Sequence, residues 1–572
     1  MYSTTIAKKE KVGIIGFRMF GSIFTRTLAV VPERGKTYVS RSVYAALFLS
    51  ISATAWLLIT GSEQIRNVGD FSRFGARLFS ILSVLFLTVS AFQSAIFCAS
   101  SVSEEKDRKT LDLLLLTSLS SCELTVGKLS SSLVYILSST LAPFPVLASC
   151  AVFGGVSAGQ TVRVLLATVS SSILSGVIGS AIAFRSEKTF LTLSLTLLAL
   201  STWLIAGETA PYWGSIPSIA ISPYSAVVAA SDPAGTESLV PFYLFCAVCS
   251  VLIYVPVIIR VRVWNPPRVV KAPRAASSSS EPTSVHAENF VSRPVWDNPI
   301  LWREVRTAGY GRRLFLFRIG YLIIALLCLY TILSGSVSTF GGTLYFIAPL
   351  ALLSLALITA QSVTSISTER DGKALDLLLS SDLRPSEFVW GKLLGAFWNA
   401  KEAVLSPPIL TLVVWYAGFL PGEYAFYLIV DYLILALFSV TLGLHSGMIY
   451  ANSRQSIGVS LGVLFFLFVG VAVCLRMALT FSGSFQAQFQ PFLALIIGGG
   501  AGLYVALGIR NPSSAIALAS FGTPCATFYA LTAALMNYTF GVFFVVAIAY
   551  GFAVAAMLVP AIYEFDIVSS RE

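Results

Sequence analysis

Charged residues are scarce in this chain: Asp, Glu, Lys and Arg together make up only 12% of its 572 residues. Soluble globular domains contain about 25%, so the composition argues against an ordinary soluble enzyme and against a disordered protein. Histidine occurs only twice, which argues against a histidine-based metal site, and there is no HExxH motif. We predict neither catalytic residues nor a bound metal in this chain.

Apolar residues are abundant instead, at 56%, and aromatic residues reach 12%. The sequence predicts an all-α polytopic membrane protein with about twelve transmembrane helices, because twelve apolar runs, each with at most one charged residue, are long enough, or nearly so, to cross a bilayer. The predicted spans are about 42–60, 78–102, 129–152, 164–184, 189–206, 239–259, 314–334, 342–366, 403–420, 424–450, 455–475 and 537–560. A further apolar stretch, 491–509, contains a glycine triplet that favours a re-entrant or broken segment over a plain span.

The chain divides at its polar stretches into five predicted parts. These are a cytoplasmic or interfacial amphipathic segment (1–41), a six-span domain (42–260), a basic linker rich in Ser and Pro (261–313), a second six-span domain (314–560) and a tail (561–572). Basic loops fall on one face of this topology, and the positive-inside rule then places both termini in the cytoplasm. The formal net charge is +10, and we interpret the excess basic residues as anchors of the helices at the surface of a lipid bilayer. We predict that this bilayer is the plasma membrane and that the chain has no nucleic-acid partner.

The strongest signal in the sequence is an internal repeat. Residues 101–129 align without a gap with residues 365–393, and 15 of the 29 positions are identical. SPYSAVVAAS (222–231) also resembles NPSSAIALAS (511–520), but at an offset of 289 instead of 264, which places an insertion near 480–509. Both copies enter the membrane from one side, so we predict two parallel six-helix repeats related by an axis along the membrane normal.

The repeated segment predicts a docking element for a cytoplasmic partner, since it combines clustered charge with a short helix whose Leu113, Leu114 and Leu115 would be buried. We call residues 104–128 and 368–392 the docking segments. The alternative is a loop whose charges only set the membrane topology, but such a loop has no reason to repeat its charged and glycine positions. The candidate coupling residues are Glu105, Asp107, Lys109, Asp112, Gly127 and Lys128 in the first copy, and Glu369, Arg370, Asp371, Lys373, Asp376, Gly391 and Lys392 in the second.

These segments resemble the cytoplasmic segment after the second span of ABC type-2 export permeases. DNPILWREVR (297–306) is similar to the elbow-helix entry of that family, so the resemblance covers essentially the whole chain as two fused six-span halves with interfacial elbow helices. It implies that the chain is the permease component of an ATP-driven exporter. The docking segments would then be coupling helices that contact ATPase subunits.

The resemblance also implies where ATP is hydrolysed. No GxxxxGK[ST] motif occurs, because the GK pairs at 127–128 and 391–392 are each followed by Leu, and Gly35-Lys36-Thr37 has Val30 where the first Gly belongs. We expect no cofactor on this chain and no enzymatic activity in it. ATP and Mg would bind to separate soluble ABC ATPase subunits, two of them, one for each docking segment.

Two ionisable residues inside predicted spans, Asp431 and His445, are candidates for a transport pathway. Charged groups in lipid usually face protein or water, so interhelical hydrogen bonding is the alternative role. Two other functions stay open. An ion-coupled secondary transporter with parallel repeats would need intramembrane charges, of which this chain has few. A non-transporting membrane scaffold would also fit duplicated docking segments.

Overall fold

The computed structural model describes residues 24–25, 35–60, 68–186, 189–213, 217–235, 237–266, 295–306, 314–333, 340–371, 375, 378, 383–450, 453–481, 485–508, 512–535 and 538–563. Most of the amphipathic segment expected at 1–41, most of the basic linker and most of the tail lie outside them. Every regular element among the described residues is helical. Residues 35–266 are called the first half below, and residues 295–563 the second half.

Ten helices in the first half have the following bounds: α1 Gly35–Thr60, α2 Val68–Asp107, α3 Thr110–Leu115, α4 Ser121–Thr140, α5 Phe144–Ser149, α6 Ala158–Arg185, α7 Thr189–Trp213, α8 Ser218–Ile221, α9 Pro223–Ser231 and α10 Val240–Trp264. A 3₁₀ turn, Cys150–Phe153, follows α5. The second half contains α11 Pro299–Arg306, α12 Leu314–Thr331, α13 Phe340–Asp371, α14 Pro385–Asn399, α15 Lys401–Tyr416, α16 Gly422–Ile449, α17 Ser453–Leu464, α18 Val471–Phe481, α19 Phe485–Gly508, α20 Ser514–Leu535 and α21 Thr539–Tyr563. A π-helix, Phe465–Gly470, joins α17 to α18.

Ten helical stretches of the described chain are long and apolar enough to cross a membrane. Two shorter apolar stretches, Arg318–Thr331 and Ile496–Gly508, lie in α12 and α19. The side chains that face away from the bundle are largely apolar, among them Leu244, Leu252 and Ile259 on α10. The chain is therefore an all-α polytopic membrane protein.

The same helix pairs pack in each half. In the first half α2 packs against α6 and α7, and α6 packs against α7 and α10. In the second half α13 packs against α16 and α17, and α16 packs against α17 and α21. The halves meet where α7 contacts α12 and α13, and where α18 contacts α1 and α2. We call the end of the bundle where α2 and α13 finish, at Asp107 and Asp371, the charged end, and the opposite end the far end.

Small residues allow the central helix pair of each half to approach closely. A Cβ added to Gly179 of α6 would lie 2.3 Å from the carbonyl oxygen of Ala95, and one added to Gly443 of α16 would lie 2.7 Å from that of Thr359. Next to these contacts, the hydroxyl of Ser94 donates to the Ser172 carbonyl and that of Ser362 to the Val440 carbonyl, each at 2.6 Å. Membrane helices associate through such small residues and interhelical hydrogen bonds.

We expect Gly179→Ala to destabilise the protein by about 1–3 kcal/mol, because backbone atoms of α2 must move to admit the methyl group. Gly551→Ala on α21 is the matched control, since a Cβ there meets nothing within 4 Å. That change should be neutral or stabilise by about 0.5–1 kcal/mol through helix propensity. SDS titration of helicity in mixed micelles measures both, and equal stability of the two variants would contradict the close α2–α6 contact.

The glycine triplet does not break its helix. α19 runs without interruption from Phe485 to Gly508, so the alternative of a broken segment is wrong. The alternative of a re-entrant segment stays a prediction, since the apolar stretch Ile496–Gly508 is shorter than the ten spanning helices. A Cβ on Gly499 would overlap the Phe466 ring and one on Gly500 the Phe521 ring, at 1.9 and 2.4 Å. The glycines therefore accommodate two aromatic rings from the π-helix and from α20.

The two similar sequences of the chain lie at opposite ends of the bundle. Ser514 begins α20, an apolar helix of spanning length. The preceding helix, α19, ends near the charged end, because Leu507 and Ala506 accept hydrogen bonds from side chains at the end of α16. The similar sequence in the first half forms α9, which ends beside the start of α6 at the far end, where Gln160 donates to the Ser231 carbonyl.

Candidate functional site

The charged end is built around two helix turns that carry the repeated segment. α2 is 40 residues long and ends at Asp107. Lys109 then adopts a left-handed conformation, with φ of 57°, and reverses the chain into the short helix α3. α4 starts with a capping box, in which the Ser120 hydroxyl accepts from the Glu123 amide and the Glu123 carboxylate accepts from the Ser120 amide.

An ion pair between repeated positions joins the two helices of each turn. Lys128 of α4 pairs with Glu105 of α2. The equivalent Lys392 of α14 donates to Glu369 of α13 at 2.7 Å. Lys392 is only 1% exposed, and the side chain of Glu369 is 14% exposed. These four candidate coupling residues therefore bind each other, and Lys392 lies too deep to contact a partner protein.

In the second half, the Glu369–Lys392 ion pair also contacts α11, the predicted interfacial elbow helix. Lys392 donates to Glu304 of α11 at 2.6 Å and to the Ser365 carbonyl at 2.9 Å. Arg303 of α11 pairs with Glu369. Burial lowers the pKa of Lys392 to about 8, with Glu304 opposing that shift, so the ammonium group is charged at neutral pH.

Gly391 permits this arrangement. A Cβ at Gly391 would lie 2.8 Å from Ile300 and 2.9 Å from the Asn298 side chain, so α11 packs directly on the glycine. Asn298 donates from its side chain to the Glu387 carbonyl at 2.9 Å. The counterpart Gly127 is buried on α4. In the second half the GK pair is therefore a packing feature: Gly391 admits α11, and Lys392 pairs with the carboxylates of Glu304 and Glu369.

The basic residue that follows Glu105, and the one that follows Glu369, caps the C-terminus of another helix. Lys106 donates to the carbonyls of Phe184 and Ser186, at 2.7 and 2.8 Å, where α6 ends. Arg370 donates to the carbonyls of Met448 and Tyr450, at 2.9 and 2.6 Å, where α16 ends. The equivalent residues are each 264 positions apart: Lys106 and Arg370, Phe184 and Met448, and Ser186 and Tyr450. Cations stabilise helix C-termini because the last carbonyls have no intrahelical partners.

The surface left exposed in the first docking segment is apolar as well as charged. Leu113 is 65% exposed and Leu116 is 68% exposed, whereas Leu111 and Leu115 are buried. The expectation that Leu113 is buried is therefore wrong, because α3 turns this residue outward. Lys109 is exposed and Asp112 is partly exposed beside these leucines. Asp107 accepts a hydrogen bond from Thr189 at the start of α7.

Much of the second docking segment is outside the described residues, including Lys373 and Asp376. The backbone of Asp371 ends α13, and its side chain is not described. The exposed face of this segment therefore stays a prediction from the sequence repeat.

Asp431 and His445 do not form one site. Both lie on α16, fourteen residues apart, which corresponds to about 21 Å along a helix. His445 Nε2 is 2.9 Å from the Leu507 carbonyl of α19, a contact that holds the added helix. Asp431 is 9% exposed, and its Oδ1 has no hydrogen-bond partner among the described residues.

Sequence reasoning missed a second set of matched contacts. The Tyr44 hydroxyl of α1 bonds to Ser90 of α2, and the Tyr321 hydroxyl of α12 bonds to Ser354 of α13. One turn earlier, Arg41 donates to Ser138 and Arg318 pairs with Glu402. The signal was present as R-x-x-Y at 41–44 and 318–321. It occurs at an offset of 277, so an alignment at 264 does not show it.

Two further features carry no chemistry. The sequence GVSAG (155–159) matches the GxSxG pattern of hydrolases, but its Ser157 caps α6 by accepting from the Gln160 amide. A groove of about 580 Å³ between α1 and α5 is lined mainly by apolar side chains such as Leu49, Trp56 and Phe153.

No group of three His, Cys, Asp or Glu residues suited to a metal occurs in the described part of the chain.

A scan against protein-family models and a search of curated proteins found no match to this chain. The functional interpretation therefore depends on the residues themselves.

Proposed function

We propose that this chain is the membrane-spanning permease subunit of an ATP-binding-cassette exporter, of the type-2 class that its docking segments resemble. The observation that carries the proposal is the pair of helix turns at the charged end. Each turn is held by an inward-facing Glu–Lys pair at repeated positions. In the first turn the apolar face of α3 is left exposed, with Leu113 and Leu116 outermost. An exposed apolar patch rimmed by charge is typical of a protein interaction site.

The proposed architecture is two parallel six-span repeats with the α19–α20 hairpin added to the second. It is supported by the matched helix pairings and by the equivalent contacts at offsets of 264 and 277. Two docking turns suit two equivalent ATPase surfaces. In this arrangement the charged end and both termini face the cytoplasm, and the protein lies in the plasma membrane. ATP and Mg bind to the ATPase subunits, whose hydrolysis cycle drives alternating access of the permease.

Purification of the tagged chain from native membranes in mild detergent tests the proposal. We expect a soluble protein with a P-loop to copurify in a ratio of two per chain. ATP hydrolysis by this complex should depend on the presence of the chain. A chain that purifies without any ATPase and transports substrate down an ion gradient would contradict the proposal.

The ion-coupled alternative is favoured by one observation, the buried carboxylate of Asp431. Under our proposal Asp431→Asn should leave ATP-driven activity within about two-fold of the wild type, because the amide keeps the shape of the side chain and removes a charge that is expensive to bury. Under the alternative, the same change should abolish ion-driven transport. Uptake into proteoliposomes with either ATP or an imposed proton or sodium gradient separates the two.

A further inference from the structure

A second cluster of charges lies outside the docking segments, on the outer face of the second half. Arg318 of α12 pairs with Glu402 of α15, with Arg318 Nε 2.8 Å from Glu402 Oε1. The Lys401 ammonium lies 4.5 Å from the centre of the Trp398 ring. Lys401 forms no ion pair with any described residue. The cluster therefore holds two cations and one carboxylate and has a net charge of +1.

The surroundings of this cluster are those of a surface that faces lipid. The side chain of Arg318 is 42% exposed, and Trp398 is 50% exposed. Leu322, Leu394 and Leu405, on the same three helices, are 59%, 44% and 52% exposed. Exposed leucines and tryptophan on a membrane helix contact acyl chains and the interfacial region.

The sequence places the cluster at the boundary between polar and apolar regions. No charged residue follows Arg318 until Glu369, and none follows Glu402 until Glu423. Both α12 and α15 therefore become uninterruptedly apolar immediately beyond the cluster. Lys401 begins α15, and the seven residues from Lys392 to the end of α14 at Asn399 already rise about 10 Å along the helix. Arg318 and Lys401 thus lie at the level of one layer of lipid headgroups, on the side of the charged end.

We propose that Arg318, Lys401 and Trp398 bind the phosphodiester of a glycerophospholipid in the leaflet nearest the charged end. A phosphodiester carries one negative charge, which neutralises the net charge of the cluster. Glu402 occupies Nε of the guanidinium and orients it, and the terminal nitrogens and the Lys401 ammonium donate to phosphate oxygens. The glycerol backbone and acyl chains then lie on Trp398 and the exposed leucines. Basic residues between membrane helices bind lipid phosphates in this way.

The first half provides a natural comparison. At the offset of 264, Lys401 corresponds to Leu137, Glu402 to Ser138 and Trp398 to Val134. Arg41 there donates to Ser138 instead of a carboxylate. A tyrosine ring is present there, because the guanidinium carbon of Arg41 lies 5.9 Å from the centre of the Tyr38 ring. The second cation is missing, so the first half lacks the pair of cations that suits a phosphate. The site belongs to one half of the molecule, whether or not the chain is an exporter.

The test is to count bound lipids per chain. Full-length protein is delipidated in detergent, titrated with dioleoyl phosphatidylglycerol and analysed by native mass spectrometry. We expect one tightly bound molecule per wild-type chain. Lys401→Leu, which installs the first-half residue, should weaken its binding about five-fold. Leu137→Lys should add a second site, and unchanged thermal unfolding in lipid-free detergent shows that both variants are folded.

Two further ligands identify the chemistry. Dioleoylglycerol has the same acyl chains without the phosphate and should bind no better to the wild type than to Lys401→Leu. Inorganic phosphate at millimolar concentration should not displace the bound phosphatidylglycerol. The proposal is overturned if Lys401→Leu retains lipid as the wild type does, if dioleoylglycerol binds as well, or if inorganic phosphate displaces the lipid.

Discussion

Lys392→Met is expected to destabilise the protein by about 3–5 kcal/mol, the loss associated with removing one partner of a buried ion pair. The Lys392 ammonium has three N–H donors, and three acceptors lie 2.6–2.9 Å from its nitrogen: Glu304, Glu369 and the Ser365 carbonyl. Methionine fills a similar volume but donates nothing. Two carboxylates that are 13% and 14% exposed then lose their shared partner. SDS titration of helicity in mixed micelles measures the loss.

Lys128→Met is the matched control in the first half. That lysine pairs with the single carboxylate of Glu105, and the two side chains are 19% and 24% exposed. Water can replace part of the lost contact there, so the destabilisation should be clearly smaller. Adding Glu304→Gln to Lys392→Met should restore part of the stability, because Arg303 still pairs with Glu369. Equal losses for the two lysine variants would show that the α11 network does not stabilise the second half.

The second large effect is expected at the exposed face of α3. Replacing Leu113 and Leu116 by Glu should weaken ATPase binding at least about ten-fold, because buried apolar anchors supply most of the energy of an interface. The fold should be unaffected, since both side chains are largely exposed. The measurement is the amount of ATPase subunit recovered per tagged chain, together with ATP hydrolysis.

A control separates apolar docking from surface charge. Glu104, in the last turn of α2, and Arg108, the residue after its end, form an exposed ion pair, and such pairs contribute about 0–1 kcal/mol. Converting both to Gln should change recovery less than about three-fold. If this control loses the ATPase and the leucine variant retains it, the apolar face of α3 is not the docking surface.

The sequence predicted the helical membrane architecture because uncharged apolar runs identify membrane helices directly. It also identified the repeated segment, because a repeat at a fixed offset is visible without a structure, and docking by that segment stays a prediction. The sequence did not predict which side chains form ion pairs with each other. That Lys392 binds Glu304, 88 positions away, depends on α11 packing over Gly391, and no local pattern encodes that contact. The outward turn of Leu113 depends on the left-handed Lys109, which periodicity also does not show.

The structure of the 480–509 region was predicted only in part. The change of offset predicts extra sequence near 480–509, and α19 lies within that range. Its glycine triplet favoured a break by propensity, but Phe466 and Phe521 fill the space above Gly499 and Gly500. Tertiary packing therefore overrides the local preference. α19 ends near the charged end, and α20 begins at Ser514, six residues after α19 ends.

Photocrosslinking from position 113 tests the central claim most directly. A photoreactive amino acid in place of Leu113, in the full chain in its native cells, should yield a crosslinked product that contains a P-loop ATPase. The same amino acid in place of Val152, which is 86% exposed in the 3₁₀ turn that follows α5, should give no such product. Crosslinking of no soluble protein at 113, or of the same protein at both positions, would contradict docking on α3 and with it the proposed exporter.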